Sequence, residues 1–212
     1  MADTLSRLQE AVVSGDEELA HELAQTALEE GNQPDSILEQ ALATAVRKVA
    51  QLSRDGKSFM PDILMSIDAF NAAMDSIRAD RAGEITIAGK VVIGTVAGNV
   101  HRLGKTMIVA MLEASGFEVI NLGEDVPATT FVDTVREVKP DVLALGCYTT
   151  VATLELKKVV KCLEDSGLRK DVIVIIGGES TSQGFADELC VDAWGEDVLD
   201  TVEKVRQLVG SR

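Results

Sequence analysis

The stretch Gly98-Asn99-Val100-His101-Arg102-Leu103-Gly104-Lys105-Thr106 gathers the residues of this chain best suited to chemistry. It follows an apolar β-branched run and leads into an apolar helical one, Met107 to Leu112. Strand, glycine loop, Gly-Lys-Thr and helix is the layout of a phosphate-binding loop. The spacing is wrong for that task. Such a loop needs four residues between its first glycine and Gly-Lys-Thr, so that successive N–H groups converge on the phosphates; here five intervene, Asn99 to Leu103. The later apolar runs end in Leu145-Gly146 and Gly177-Gly178, with no carboxylate for magnesium, and GxGxxG is absent. One extra residue disrupts a geometry-critical nest of amides, so nucleotide hydrolysis fits poorly. His101 is more informative. It is one of only two histidines, in the loop where an α/β sheet presents its ligand; otherwise a lone loop histidine is an ordinary surface residue. His21, on an acidic helical stretch, has that ordinary reading.

The elements that must position this loop fall into two halves. The first 80 or so residues carry helical signals alone. Asp3 and Thr4 cap a helix ending near Gly15, and Asp16 opens a second, with Leu19, Leu23, Ala27 and Leu28 at helical spacing until Gly31. Pro34 and Asp35 begin a third that ends by Gly56. Pro61 suits the first turn of a fourth, which runs to about Ala79. Four helices with short loops predict a small bundle over 1–82. Residues 83–89 break the pattern and read as a linker. From 90 to 212, the runs 91–96, 117–121, 141–145 and 171–176, with a weaker fifth at 191–193, alternate with helical stretches at 104–115, 128–138, 151–166, 181–189 and 196–209. Continuous apolar strands separated by helices predict a five-stranded parallel sheet of Rossmann-like (flavodoxin-like) α/β type. Ligands of such sheets bind beyond the carboxyl ends of the strands, beside the topological switch point.

Composition narrows the function further. The chain has 212 residues, 46% hydrophobic, enough to bury roughly 70% of its unfolded surface. Twenty Lys plus Arg face 35 Asp plus Glu, a net charge of -15, which argues against phosphate-backbone binding and nucleic-acid partners. No apolar run nears the ~20 residues of a membrane span, and the first residues lack a signal-peptide pattern. Cys147, Cys162 and Cys190 are far apart and form neither a disulfide framework nor a zinc cluster. A soluble, acidic, cytoplasmic protein without a membrane partner is expected.

Asn99-Val-His101-Arg-Leu-Gly104 resembles the D-x-H-x-x-G motif of cobalamin-binding domains. The flanking text looks like the corrinoid proteins of methyltransferase systems: Gly94-Thr-Val-Ala-Gly98 before it, Gly116 to Pro127 after it, then Gly177-Gly178, Phe185-Ala-Asp187 and Ala193-Trp194. The helical half is similar to the cap that these proteins, and the matching region of methionine synthase, place over the corrin. The resemblance covers nearly the whole chain. It implies cobalamin as cofactor, with its own base displaced and His101 as lower ligand to cobalt, the metal site. It implies cofactor contacts at Asn99, Arg102, Leu103, Gly104, Gly146, Tyr148, Thr150, Gly177 and Gly178, the double glycine leaving room for the displaced nucleotide tail. Two departures stand out. Asn99 replaces the acidic partner of the histidine, and Gly146-Cys-Tyr148 replaces S-x-L, so the relay serine is missing. An amide oxygen accepts the imidazole N–H but supplies no charge, which weakens proton coupling at His101.

Other residues have plainer readings. Phe59, Met60, Met65, Phe70 and Met74 cluster around the fourth helix; the resemblance suggests that some cover the upper corrin face, while helical spacing of such residues normally marks core. Cys147 has no adjacent base and reads as packing. Lys105 and Thr106 read as helix-start residues with a possible contact to the tail phosphate or corrin amides. Lys157, Lys158 and Lys161 read as a solvated face.

The resemblance implies a cofactor-bearing subunit rather than a complete enzyme. It would carry a methyl group from a substrate-specific methyltransferase to a second methyltransferase acting on tetrahydrofolate or a thiol, and a reductive activating protein would restore it. The donor is unreadable; O-demethylation is slightly favoured over methylamine metabolism, with no residue to defend the preference. The alternative is a cobalamin-dependent sensor or storage protein without methyl transfer, which would normally carry an output element not visible here.

Overall fold

The computed structural model describes residues 3–79, 87–99 and 103–211, with only the backbone of Leu103. His101, Arg102, the Leu103 side chain and most of the expected linker (83–86) lie outside the described residues. The chain divides into two units, residues 1–88 with 110–116, and residues 89–109 with 117–212.

In the first unit, carboxylates start the helices. Asp3 accepts the Ser6 N–H to cap α1 (Thr4–Ser14), and Asp16 accepts the Leu19 N–H to cap α2 (Glu17–Glu29). Gly15 ends α1 in the left-handed conformation. Pro34 opens a continuous helical stretch made of α3 (Pro34–Ile37), a π turn at Leu38–Leu42 and α4 (Ala43–Arg54). Within it the Ala43 N–H reaches back five residues to the Leu38 carbonyl. The last helix is α5 (Met60–Ala79). Leu8, Leu23, Ile37, Leu42 and Phe70 fill the bundle core, each no more than 3% exposed.

The second unit is built on five parallel strands: β1 (Gly89–Thr95), β2 (Phe117–Asn121), β3 (Val142–Gly146), β4 (Ile173–Gly177) and β5 (Ala193–Gly195). Their order is β2-β1-β3-β4-β5, so the direction of winding reverses between β1 and β3. The connections are α6 (Leu103–Ala114), α7 (Ala128–Val138), α8 (Thr153–Asp165) and α9 (Gln183–Glu188), and α10 (Val198–Gly210) closes the chain. One sheet face buries Val92, Leu143, Leu145, Val174 and Ile176 in a core with Phe131, Leu156 and Leu163. Gly94 permits this packing: a Cβ there would lie 2.8 Å from the Phe131 ring.

β5 starts two residues later than the sequence pattern suggests. Cys190 is left-handed, with a φ of 53°, and the Val191 N–H still bonds back to Ala186 in α9. The Asp192 carboxylate accepts the Val174 N–H at 2.7 Å, so the ladder begins only at Ala193. Among the described residues no helix is long and apolar enough to cross a membrane.

Candidate functional site

The second sheet face carries two registered rows of side chains. The inner row is Ile93, Ala144, Ile175 and Ala193, taken from β1, β3, β4 and β5. The outer row, at the carboxyl ends of the same strands, is Thr95, Gly146, Gly177 and Gly195. Three neighbouring strands therefore end in bare backbone on one face. Above them lies a cavity of about 390 Å³, walled by Gly104, Lys105 and Ile108 of α6 and by Trp194, Val198 and Thr201. It sits beside the reversal of strand order, where sheets of this type bind ligands.

These glycines have little tolerance for side chains. A Cβ on Gly195 would run into Thr201, and one on Gly178 into the carbonyl of Cys147. Gly178 also has a φ of +109°, which excludes other residues on backbone grounds. Gly177 is milder, its Cβ lying 3.3 Å from the Gly195 carbonyl oxygen.

Around the β1–α6 loop the polar groups are held closely. Asn99 is fully buried, and its Oδ1 accepts the Tyr148 backbone N–H at 3.1 Å. Its Nδ2 has no partner among the described residues, and neither does the buried Thr95 Oγ1. The Asn99 carbonyl accepts the Asp125 N–H, and the Asp125 carboxylate accepts the Gly98 N–H at 2.7 Å. The Tyr148 ring lies over Gly104, its phenol oxygen 3.0 Å from where a Cβ would stand. That oxygen takes a hydrogen bond from the Lys105 backbone N–H, one of the unsatisfied donors in the first turn of α6. Burial pushes the Tyr148 phenol above its ordinary value, and the charges of Glu179 and Cys147 add to this.

The residues singled out in the sequence are thus distributed unevenly. Gly104, Gly146, Tyr148, Gly177 and Gly178 line the cavity, and Asn99 is tied to Tyr148. Thr150 is exposed in a short 3-10 turn, off the cavity wall. The Lys105 ammonium is buried and committed to Asn121 Oδ1 at 2.6 Å and Glu124 at 3.1 Å rather than open to a phosphate. Cys147 is buried, which raises its thiol pKa, and its Sγ lies 3.5 Å from the Thr149 carbonyl. Phe70 and Met74 are bundle core, whereas Phe59, Met60 and Met65 are exposed. His21 stays on the bundle surface, its Nδ1 2.7 Å from Ser76 Oγ. Lys157 and Lys158 pair with Glu188 and Glu155 at the surface. Reasoning from the sequence missed Gly195, Ala144 and Thr201; a glycine closing each of three successive β runs was the available signal.

A cobalamin tail needs a slot beside the strand ends, wide enough for a planar base and open to the β1–α6 loop. The glycine row and the cavity meet that need, and the unpaired amide of Asn99 lies two residues before His101. Residues 89–203 match the B12 binding domain family, and residues 4–78 match a second B12 binding domain family that covers the helical half. The chain belongs to the B12-binding corrinoid proteins of methyltransferase systems: it is a methyl-carrying corrinoid protein with cobalamin as its cofactor.

Trimethylamine corrinoid protein 1 of Methanosarcina acetivorans is 33% identical over 98% of this chain and 97% of its own length. A corrinoid protein of Desulfitobacterium hafniense is 32% identical over 97% of each chain. Among solved structures, a cobalamin-binding protein from Desulfitobacterium hafniense superposes with a TM-score of 0.76 at 30% identity, over 98% of this chain and 99% of that one. The methanol:cobalamin methyltransferase complex MtaBC of Methanosarcina barkeri gives a TM-score of 0.82 at 26% identity, over 99% of this chain and 80% of that one.

Proposed function

We propose that this protein holds cobalamin with the nucleotide tail in the sheet cavity and His101 as lower ligand. In this reading it ferries a methyl group from a methylated amine between two methyltransferases. The observation that carries the reading is the registered row Gly146–Gly177–Gly195 beneath the cavity, at the strand ends that flank the β1–α6 loop. Bound cobalamin supplies a strongly nucleophilic cobalt able to accept and release methyl cations, chemistry that no side chain here offers.

The chain's own residues have simpler tasks. The glycine row and Ala144 receive the tail, Ile108 and Val198 close over it, and Tyr148 fixes the first turn of α6. Asn99 ties the turn after β1 to the end of β3, and the Lys105–Asn121–Glu124 contacts hold the start of α6 to β2 and the turn after it. A methylated amine as the first donor is supported by relatives called trimethylamine and dimethylamine corrinoid proteins. They shift the balance away from the O-demethylation that the sequence alone slightly favoured. A partner methyltransferase is supported by the similarity to the MtaBC complex. The second methyltransferase, acting on a thiol or tetrahydrofolate, and a reductive activating protein complete the proposed set.

Two measurements test this. The protein is reconstituted with hydroxocobalamin, reduced to Co(II), and its electron paramagnetic resonance spectrum recorded beside that of His101→Ala. Nitrogen superhyperfine splitting lost in the variant supports His101 as ligand; identical spectra remove it and favour a sensor or storage role. Separately, the loaded protein is offered purified amine and aryl-ether methyltransferases, each with its substrate. Methylation by the ether enzyme alone would overturn the amine assignment.

A further inference from the structure

We infer that the cavity selects the base of the corrinoid tail, accepting a flat apolar benzimidazole and discriminating against a purine. This rests on the reading of the cavity as the tail site. The inner floor is Ile93, Ala144 and Ile175, side by side in register, and the outer floor within the cavity, Gly146, Gly177 and Gly195, is backbone alone. Ile108 and Val198 add apolar wall from the two flanking helices.

The polar side chains on the wall are already engaged with the protein. The Thr201 hydroxyl donates to the Asp197 carbonyl at 2.6 Å. The Thr181 hydroxyl donates to the Gly178 carbonyl at 2.7 Å and accepts the Trp194 indole N–H at 3.0 Å. The Lys105 ammonium is held by Asn121 and Glu124, and the Tyr148 oxygen by the Lys105 amide. Asp197 caps α10 through the Asp200 N–H. Glu179 and Glu196 are exposed, and carboxylates offer no donor. The wall therefore presents a purine's several acceptor nitrogens with aliphatic carbon and with side-chain donors pointed elsewhere.

The Trp194 side chain belongs to the opposite sheet face, in register with Ile176 and packed against that core. Lys204 lies over its ring at 5.8 Å, so the indole N–H stays with Thr181. A displaced benzimidazole has a single acceptor nitrogen to leave unmet, whereas adenine has several. Polar groups buried without partners cost affinity steeply.

The test compares hydroxocobalamin, its adenine-tailed analogue and tailless cobinamide on the full cofactor-free chain. Dissociation constants are measured by ultrafiltration and corrin absorbance. Each is corrected for the free corrinoid's own base-off equilibrium, found by acid titration. Cobalamin is expected to bind about tenfold to a hundredfold tighter than the adenine analogue, with the latter close to cobinamide. Equal binding of the two tailed corrinoids, both tighter than cobinamide, would overturn the selectivity and leave the tail site standing. Cobinamide binding as tightly as cobalamin would overturn the tail site itself. Gly177→Ala adds a methyl to the floor and should weaken cobalamin about tenfold while sparing cobinamide; Gly146→Ala, whose Cβ has only ordinary contacts at 3.4 Å, replaces it if the first variant does not fold.

Discussion

The backbone N–H of Tyr148 donates to Oδ1 of Asn99 across 3.1 Å, joining the end of β3 to the loop after β1 while the other half of the Asn99 amide stays without a partner among the described residues. An aspartate at this position would keep the Tyr148 bond and add a negative charge two residues from His101. With His101 as lower ligand, that charge makes the imidazole more basic and favours the more oxidised cobalt. Asn99→Asp is thus expected to lower the Co(II)/Co(I) midpoint potential in a spectroelectrochemical titration, and His101→Ala should erase the difference. An unchanged or raised potential would count against the assignment.

Thr95 and Gly146 form a second linked pair. The buried Thr95 hydroxyl lacks a partner, and the position of a Cβ on Gly146 is 3.4 Å away. Thr95→Val removes the unmet group and should raise the stability of the cofactor-free protein by about 1 kcal/mol in urea denaturation. Gly146→Ser places a hydroxyl beside Thr95. It should be more favourable in the native background than in Thr95→Val, a coupling that a double-mutant cycle measures.

Lys105 is 3% exposed, so its ion pair with Glu124 is poorly screened by salt. Lys105→Met leaves Asn121 and the half-buried Glu124 without their cation. A loss of about 2 kcal/mol is expected, nearly the same at low and high ionic strength. A loss that vanishes in high salt would show the pair to be a surface one.

Burial raises the pKa of both the Cys147 thiol and the Tyr148 phenol. The folded chain therefore holds these protons more tightly than the unfolded chain does. Their stabilisation is complete below the ordinary thiol and phenol values, about 8.5 and 10. It is lost as pH climbs from there through the raised values. Stability should fall on the alkaline side, and Cys147→Ala should flatten the start of that fall. At pH 8 a thiol reagent should modify exposed Cys190 well before Cys147.

The sequence revealed most of the scaffold because its signals are local. β2 and α7 occupy the residues expected, and the remaining strands and connecting helices shift by at most two or three at an end. β5 slipped because Val191 has the composition of a strand but is held by the end of α9. The π turn at Leu38–Leu42 has no compositional mark. Site residues were readable singly, not in their arrangement. Gly146, Gly177 and Gly195 become one floor only through strand register, which is set by pairing between distant segments. Lys105 shows the opposite failure: a lysine at a helix start normally reaches water, and only the loop after β2 draws this one inside.

The outer floor of the cavity is hydrogen-bonded main chain, with no rotamers to rearrange when a ligand arrives. Its shape is as stiff as the sheet, so a planar guest meets a slot whose ordering was completed during folding. Variation at these three positions can run in one direction only. Every substitution adds atoms, so random drift can obstruct the slot but can never widen it.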